Sequence, residues 1–187
     1  MGKKRSNENI KELILKETEN LLQKKNFSDI SLRDVAENCH ISSGTIYYYY
    51  QNKSDIVYDI FSKRIDELYN ELIVWIDNKE KDTSLHRIVK FVLLKGTGSP
   101  SLRINLLAEC TNGNQVLKEK MISKYNSFND SIYKRLEGEY GQEEAKFLSW
   151  LILILTDGAI VHKGLQNSSF DFEKFVAEAE VFFTKNK

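Results

Sequence analysis

The run Ile41-Ser42-Ser43-Gly44-Thr45-Ile46-Tyr47-Tyr48-Tyr49-Tyr50, followed by Asn52-Lys53, gathers side chains suited to gripping phosphate and touching base edges. Ser42 is a capping residue type. With Ser43 and Gly44 it opens a helix whose unpaired amides and dipole favour phosphate. Small side chains at that end let it approach a sugar-phosphate backbone and a groove floor. Thr45 offers a hydroxyl to phosphate and a methyl to thymine. Tyr47 and Tyr48 are adjacent and cannot share a helix face, whereas Ile46 and Tyr50, four apart, can both face a core. Four consecutive tyrosines cover every face, so some must be exposed, and exposed tyrosines beside a serine-rich helix start favour a binding surface.

Covalent chemistry has less to work with. The sequence holds no GxSxG, no phosphate-binding P-loop, no dinucleotide glycine fingerprint and no HExxH. Cys39-His40 has no second ligand pair, so zinc is not expected. Cys39 and Cys110 cannot make a disulfide framework. Cys110 with His86 or His162 is the one conceivable nucleophilic pair, and it would show as an unusually fast-alkylating thiol. The expectation is a protein that is not an enzyme and carries no cofactor.

The elements that must hold these groups are helical almost throughout. A first helix carries Ile10, Leu13, Ile14, Leu21 and Leu22 on one face after the cap candidate Ser6, and Asn26-Phe27-Ser28-Asp29 breaks it. Ser31 caps a short second helix, with Asp34 as the acidic arm of a capping box and Val35 and Ala36 inward. This helix stops near Asn38-Cys39-His40. A third starts at Ser42 and ends near Gln51-Asn52, which makes a helix-turn-helix. A fourth, Ser54 to about Asp77, buries Ile56, Val57, Ile60, Phe61, Ile65, Leu68, Tyr69, Leu72, Ile73 and Ile76. Its length of about 35 Å is enough to join two lobes. After the polar patch 78–82, helices are expected at 84–95, 101–110, 113–137, 142–165 and 171–185. The fold class is therefore all-α: a helix-turn-helix domain over 1–53 and a helical domain over 54–187, joined by the fourth helix, about nine helices in all.

Residues 7–58 resemble the DNA-binding domain of the TetR family of bacterial repressors. The specific part is the 41–53 run, with its small residue, apolar residue, Tyr, later aromatic and Lys. The resemblance implies that Tyr47 reaches into the major groove while Tyr48 and Tyr49 lie toward the phosphates. It implies that Lys53 pairs with a phosphate, and that Ser31 and Arg33 make the matching contacts on the other side. Two positions depart from the family pattern. Asn26 stands where the first helix usually ends in Gly, and His40 stands at the usual Gly of the turn; both residue types tolerate left-handed backbone angles.

The resemblance also implies a C-terminal lobe that dimerises and holds a small-molecule pocket. Trp150, Leu151, Ile154, Leu155, Gly158 and Val161 form one helical stripe, and Phe172, Phe175, Phe182 and Phe183 another. Two adjacent helices this apolar suit a four-helix dimer interface, with Gly158 permitting close approach. Polar groups within apolar helices are the ligand candidates: His86, Asn105, Glu109, Tyr125, Asp157 and His162, with Phe91, Cys110 and Trp150 as walls. Glu109 or Asp157 in an apolar cavity would suit a cation; either could instead pair with Arg103 or Lys163.

Composition bounds the partners. The chain has 187 residues with 27 Lys+Arg against 27 Asp+Glu, which excludes coating of nucleic acid by bulk charge. Residues 1–53 hold 9 Lys+Arg against 7 Asp+Glu, a net of +2, so affinity must come from a few placed contacts doubled in a dimer. Lys3, Lys4 and Arg5 could add a basic arm. One proline and nine glycines argue for long helices and against a turn-dense β fold. The apolar stretch Phe147–Val161 reads as too short and too polar to span a membrane, and the start of the chain lacks a signal-peptide core. The reading is a cytoplasmic, homodimeric repressor bound to a palindromic operator in double-stranded DNA and released by a small-molecule inducer. The alternative is a DNA-organising or division-linked protein without an inducer.

Overall fold

The structure, a computed structural model, describes residues 7–78, 80 and 82–185. Among them are nine α-helices, one short 3-10 helix and no strand. The order is α1 (Asn7–Leu22), a 3-10 turn (Phe27–Asp29), α2 (Leu32–Asn38), α3 (Ser43–Tyr49), α4 (Lys53–Ile76), α5 (Leu85–Gly96), α6 (Pro100–Thr111), α7 (Gln115–Tyr140), α8 (Gln142–Gly164) and α9 (Phe172–Lys185). The expected cap Ser6 and the basic Lys3, Lys4 and Arg5 lie outside the described residues.

The chain divides into two compact units. One comprises residues 1–63 and 105–118, the other residues 64–104 and 119–187. The helix-turn-helix thus keeps company with the first half of α4, the second half of α6 and the start of α7. In the first unit, α1 buries Ile14, Thr18 and Leu21 at helical spacing, and the Thr18 hydroxyl donates to the Ile14 carbonyl at 2.8 Å. α2 packs against both α1 and α3, and Leu32, Val35, Ala36, Cys39, Ile46, Ile56, Val57 and Ile60 are buried as well.

In the second unit, α8 packs against α5. Its inner face carries Ala145, Leu148, Ser149, Ile152, Leu153, Thr156, Ala159 and Ile160. Leu165 caps it, and Gln166 (φ 50°) and Asn167 return their amides to the Lys163 and His162 carbonyls. The helix runs longer than the apolar stretch read from the sequence. At 23 residues it is, among the described residues, the one helix long and apolar enough to cross a membrane by length and composition. Its inner face nevertheless serves as the unit's core: Ser149 shares a hydrogen bond with Asn129, and Thr156 donates to the Ile152 carbonyl at 2.8 Å.

Candidate nucleic-acid interface

The second helix begins with a full capping box. The Asp34 amide donates to Ser31 Oγ at 3.1 Å, and Asp34 Oδ2 accepts from the Ser31 amide at 2.9 Å and from its hydroxyl. Lys25 Nζ lies 3.0 Å from Asp34 Oδ1. Hydrogen bonds from the Ser31 hydroxyl, Lys25 and the Ser31 amide hold the Asp34 carboxyl well below the usual carboxylate range. A depressed carboxyl stabilises the fold above its unfolded-state pKa and loses that contribution as pH falls toward its folded-state value. Asp34→Ala is therefore expected to cost about 1 kcal/mol at pH 7, with the difference from wild type shrinking as acid-range denaturation curves descend below pH ~4.

The helix-turn-helix turn closes as a Schellman motif around His40, whose φ is 54°. The His40 amide donates to the Glu37 carbonyl at 3.1 Å and the Ile41 amide to the Ala36 carbonyl at 3.0 Å. His40 thus takes the left-handed angle expected of it. Asn26 does not: at φ −65°, ψ 151° it is extended. The 3-10 turn it precedes reverses the chain instead, and its side-chain amide donates to Asp29 at 3.3 Å.

At the start of α3, Ser42 Oγ accepts from the Thr45 amide at 3.1 Å and shares a hydrogen bond with Thr45 Oγ1 at 2.8 Å. Ser42 caps the helix and lies just outside it, and Tyr50 terminates it just before Gln51-Asn52. Ser43 and Gly44 are exposed. A methyl group placed at Gly44 would meet nothing nearer than Ser42 Oγ at 3.8 Å, so its own fold does not require glycine there. Ile46 is fully buried. Tyr50, just past the helix, is buried too and donates to Asp59 Oδ2 at 2.8 Å, where Lys11 Nζ also sits at 2.8 Å. Burial, with Asp59 beside it, raises the Tyr50 phenol far above its ordinary value.

The remaining tyrosines face outward. Tyr47 is 51% and Tyr48 75% exposed, and Tyr49 is half-buried with its ring edge-on to Tyr48 at 5.1 Å. Arg33 is exposed and paired with Glu37 at 3.0 Å. Lys53 turns back into the unit. Its ammonium donates to the carbonyls of Phe27 (2.6 Å) and Ser28 (3.1 Å) and lies 4.4 Å from the Phe27 ring centroid. Lys53 thus fastens the α1–α2 connection to the first turn of α4. Nothing in the sequence pattern pointed to those carbonyls as its partners.

The ligand candidates are divided between the two units. Asn105, Glu109 and Cys110 fall in the first unit, where Ser54 of α4 donates to Glu109 Oε2 at 3.0 Å. Burial pushes the Cys110 thiol up, away from nucleophilic reactivity. In the second unit, Asp157 pairs with the buried Arg103 at 2.8 Å and accepts from the Tyr125 hydroxyl at 3.1 Å. Burial, with Arg103 opposing and Asp157 reinforcing, pushes the Tyr125 phenol up to about 12. His86 bonds the Ser84 hydroxyl and faces Asp82. His162 is exposed against Phe170, and Trp150 stands on the outer face of α8 rather than on a cavity wall. Only Phe91 lines the described cavity, a groove of about 310 Å³ with Trp75, Asp82, Arg87, Lys90 and Leu94.

The apolar stripes divide as well. Trp150, Ile154 and Val161 project from α8, and Phe147 and Leu165, which the sequence reading omitted, extend the same row. Leu151 and Leu155 are half-buried at its side, and a side chain at Gly158 would meet open space. On α9, Phe182 is exposed with Val181, while Phe183 is buried in the core and so is not available to a partner. Phe172 and Phe175 are half-buried, in a ring cluster with Phe170.

Residues 14–60 match the model of the bacterial regulatory proteins of the tetR family. Similar solved structures include the fatty acid degradation regulator FadR from Bacillus halodurans, at TM-score 0.72 and 15% identity over 97% of this chain and 96% of that one. A TetR transcription regulator from Haloarcula marismortui superposes at TM-score 0.73 and 16% identity over 95% and 96%. FadR from Bacillus subtilis, solved in complex with stearoyl-CoA, does so at TM-score 0.71 and 15% identity over 92% and 96%. No curated protein sequence matches the chain.

Proposed function

We propose that this chain, whose residues 14–60 match the tetR-family model, is a transcriptional regulator of that family, a repressor that binds a palindromic operator as a homodimer and is released by a small molecule. The observation that carries the reading is the outward face of α3. Capped at Ser42, it presents Ser43, Gly44, Thr45, Tyr47 and Tyr48 from a helix whose Ile46 is locked in the core. That is a preformed surface with a small-residue end able to approach a phosphate. The vacancy for a methyl at Gly44 fits a constraint imposed by a partner rather than by the fold.

Tyr47 reads base edges in the major groove, and Tyr48 and Tyr49 lie toward phosphates. Lys53, two of whose ammonium protons go to carbonyls, has a third for phosphate. Ser31 and Arg33 contact the backbone from the start of α2, although the Asp34 carboxylate beside Ser31 works against a phosphate there. The exposed row on α8, with Phe182 of α9, forms the dimer face, and two-fold symmetry then places two recognition helices on two half-sites. Release runs through α4, which contributes residues to both units. The stearoyl-CoA complex of the Bacillus subtilis regulator supports a ligand-responsive lobe.

Tyr47→Ala is expected to weaken operator binding by about 1–3 kcal/mol and to relax specificity at the base pair it touches. Lys53→Ala is expected to weaken all sequences alike. Titration of operator and scrambled duplexes with each variant checks both. If Tyr47→Ala bound every duplex as wild type does, α3 would not be the reading helix.

A further inference from the structure

The groove on the second unit joins two kinds of recognition. Its floor is an aromatic pair, Trp75 near the end of α4 and Phe91 on α5, stacked with centroids 5.3 Å apart and planes 8° apart. Neither ring is fully buried, and Leu94 extends the apolar floor while itself half exposed. Such rings offer a face on which a further flat ring can stack. Its rim carries Arg87 and Lys90, one helical turn apart on α5. Both reach a single carboxylate: Glu180 of α9 accepts from Arg87 Nη1 at 2.6 Å through Oε1 and from Lys90 Nζ at 2.6 Å through Oε2. One anion therefore serves two cations, and each cation has more protons than that carboxylate uses. Asp82, the one acid among the lining residues, adds a looser ion pair with Arg87 at 3.6 Å, stands 3.6 Å from His86 and is largely exposed to solvent.

We propose that this groove binds small planar aromatic carboxylates, the ring stacking on Trp75 and Phe91 and the carboxylate shared between Arg87 and Lys90 beside Glu180. The cations are already placed by Glu180, so a ligand orders few new side chains on entry. A volume of about 310 Å³ suits a one- or two-ring acid. The proposal rests on the small-molecule part of the function above for its regulatory meaning alone, because binding is measured without DNA.

The test is calorimetric titration of the full chain with three probes of one shape: 2-naphthoate, 2-naphthalenemethanol and 2-naphthylmethylammonium. Naphthoate is expected to bind with a Kd below about 1 mM and about tenfold or more tighter than the other two. Phe91→Leu should weaken it about fivefold or more, and Lys90→Gln should bring it to the level of the alcohol. The proposal is overturned if the alcohol or the ammonium binds as tightly as the acid, if naphthoate gives no binding isotherm, or if both variants retain wild-type affinity. Should a variant fail to fold, the comparison of the three probes on the wild-type chain still decides, with quenching of tryptophan emission in a Trp150→Phe chain, where Trp75 is the one remaining indole, reporting on location. Naphthoate that binds while the operator complex stays intact would count against the inducer reading and leave the groove standing.

Discussion

Ile154→Glu is expected to abolish the dimer and lower operator affinity by about 10²–10⁴-fold, without unfolding the chain. Ile154 is 63% exposed in the single chain, so a carboxylate there is tolerated by the protomer. It lies in the middle of a row formed by Phe147, Trp150, Ile154, Val161 and Leu165, five large apolar side chains on one face of α8 and its cap. A row of this size on an exposed helix face marks an interaction site. In a two-fold interface the substituted residue enters from both protomers, so two carboxylates would be desolvated without partners, at a cost of several kcal/mol. The protomer would then meet the operator with one recognition helix instead of two. Sedimentation and operator titration on one preparation check the result. A dimeric Ile154→Glu protein with wild-type affinity would place the interface elsewhere.

Asp157→Ala is expected to destabilise the second unit by about 2–3 kcal/mol. Its carboxylate is the ion-pair partner of Arg103, which is only 8% exposed and also reaches the Gly96 carbonyl at 3.5 Å. The same oxygen accepts from the Tyr125 hydroxyl. Truncation takes a counter-charge from the mostly buried guanidinium and an acceptor from the phenol, and the cost of removing one partner exceeds the net worth of the pair. The double variant Arg103→Met/Asp157→Leu removes the charge and its partner together and should recover most of the loss. Denaturant unfolding of the three proteins measures it, and equal stability of Asp157→Ala and wild type would contradict the role assigned to this pair.

Much of this fold was legible because helices announce themselves by spacing. The α4 stripe from Ile56 to Leu72 and the capping box at Ser31 and Asp34 needed only local rules. Ile46 and Tyr50 were placed in the core by their separation, and the structure buries both. What local rules could not supply were partners distant in sequence. The spacing around Lys53 gives no sign that its ammonium also meets the carbonyls of Phe27 and Ser28, more than twenty residues earlier. Likewise, nothing local to Glu109 signals the Ser54 hydroxyl that donates to it from 55 residues away. Phe183 shares a stripe with Phe182 by composition, yet one turns inward and the other outward, because adjacent helical positions differ by about 100°. Asn26 was misread for another reason: its type permits a left-handed turn, but the 3-10 turn that follows removes the need for one.

The claim on which the rest depends is that this chain reads DNA sequence as a symmetric dimer. The direct measurement is selection of random duplex DNA by the purified protein at ~150 mM salt, followed by sequencing of the bound pool. A palindromic consensus, with half-sites about one helical turn or more apart, is the predicted result. A folded, dimeric protein that enriches no sequence would contradict it.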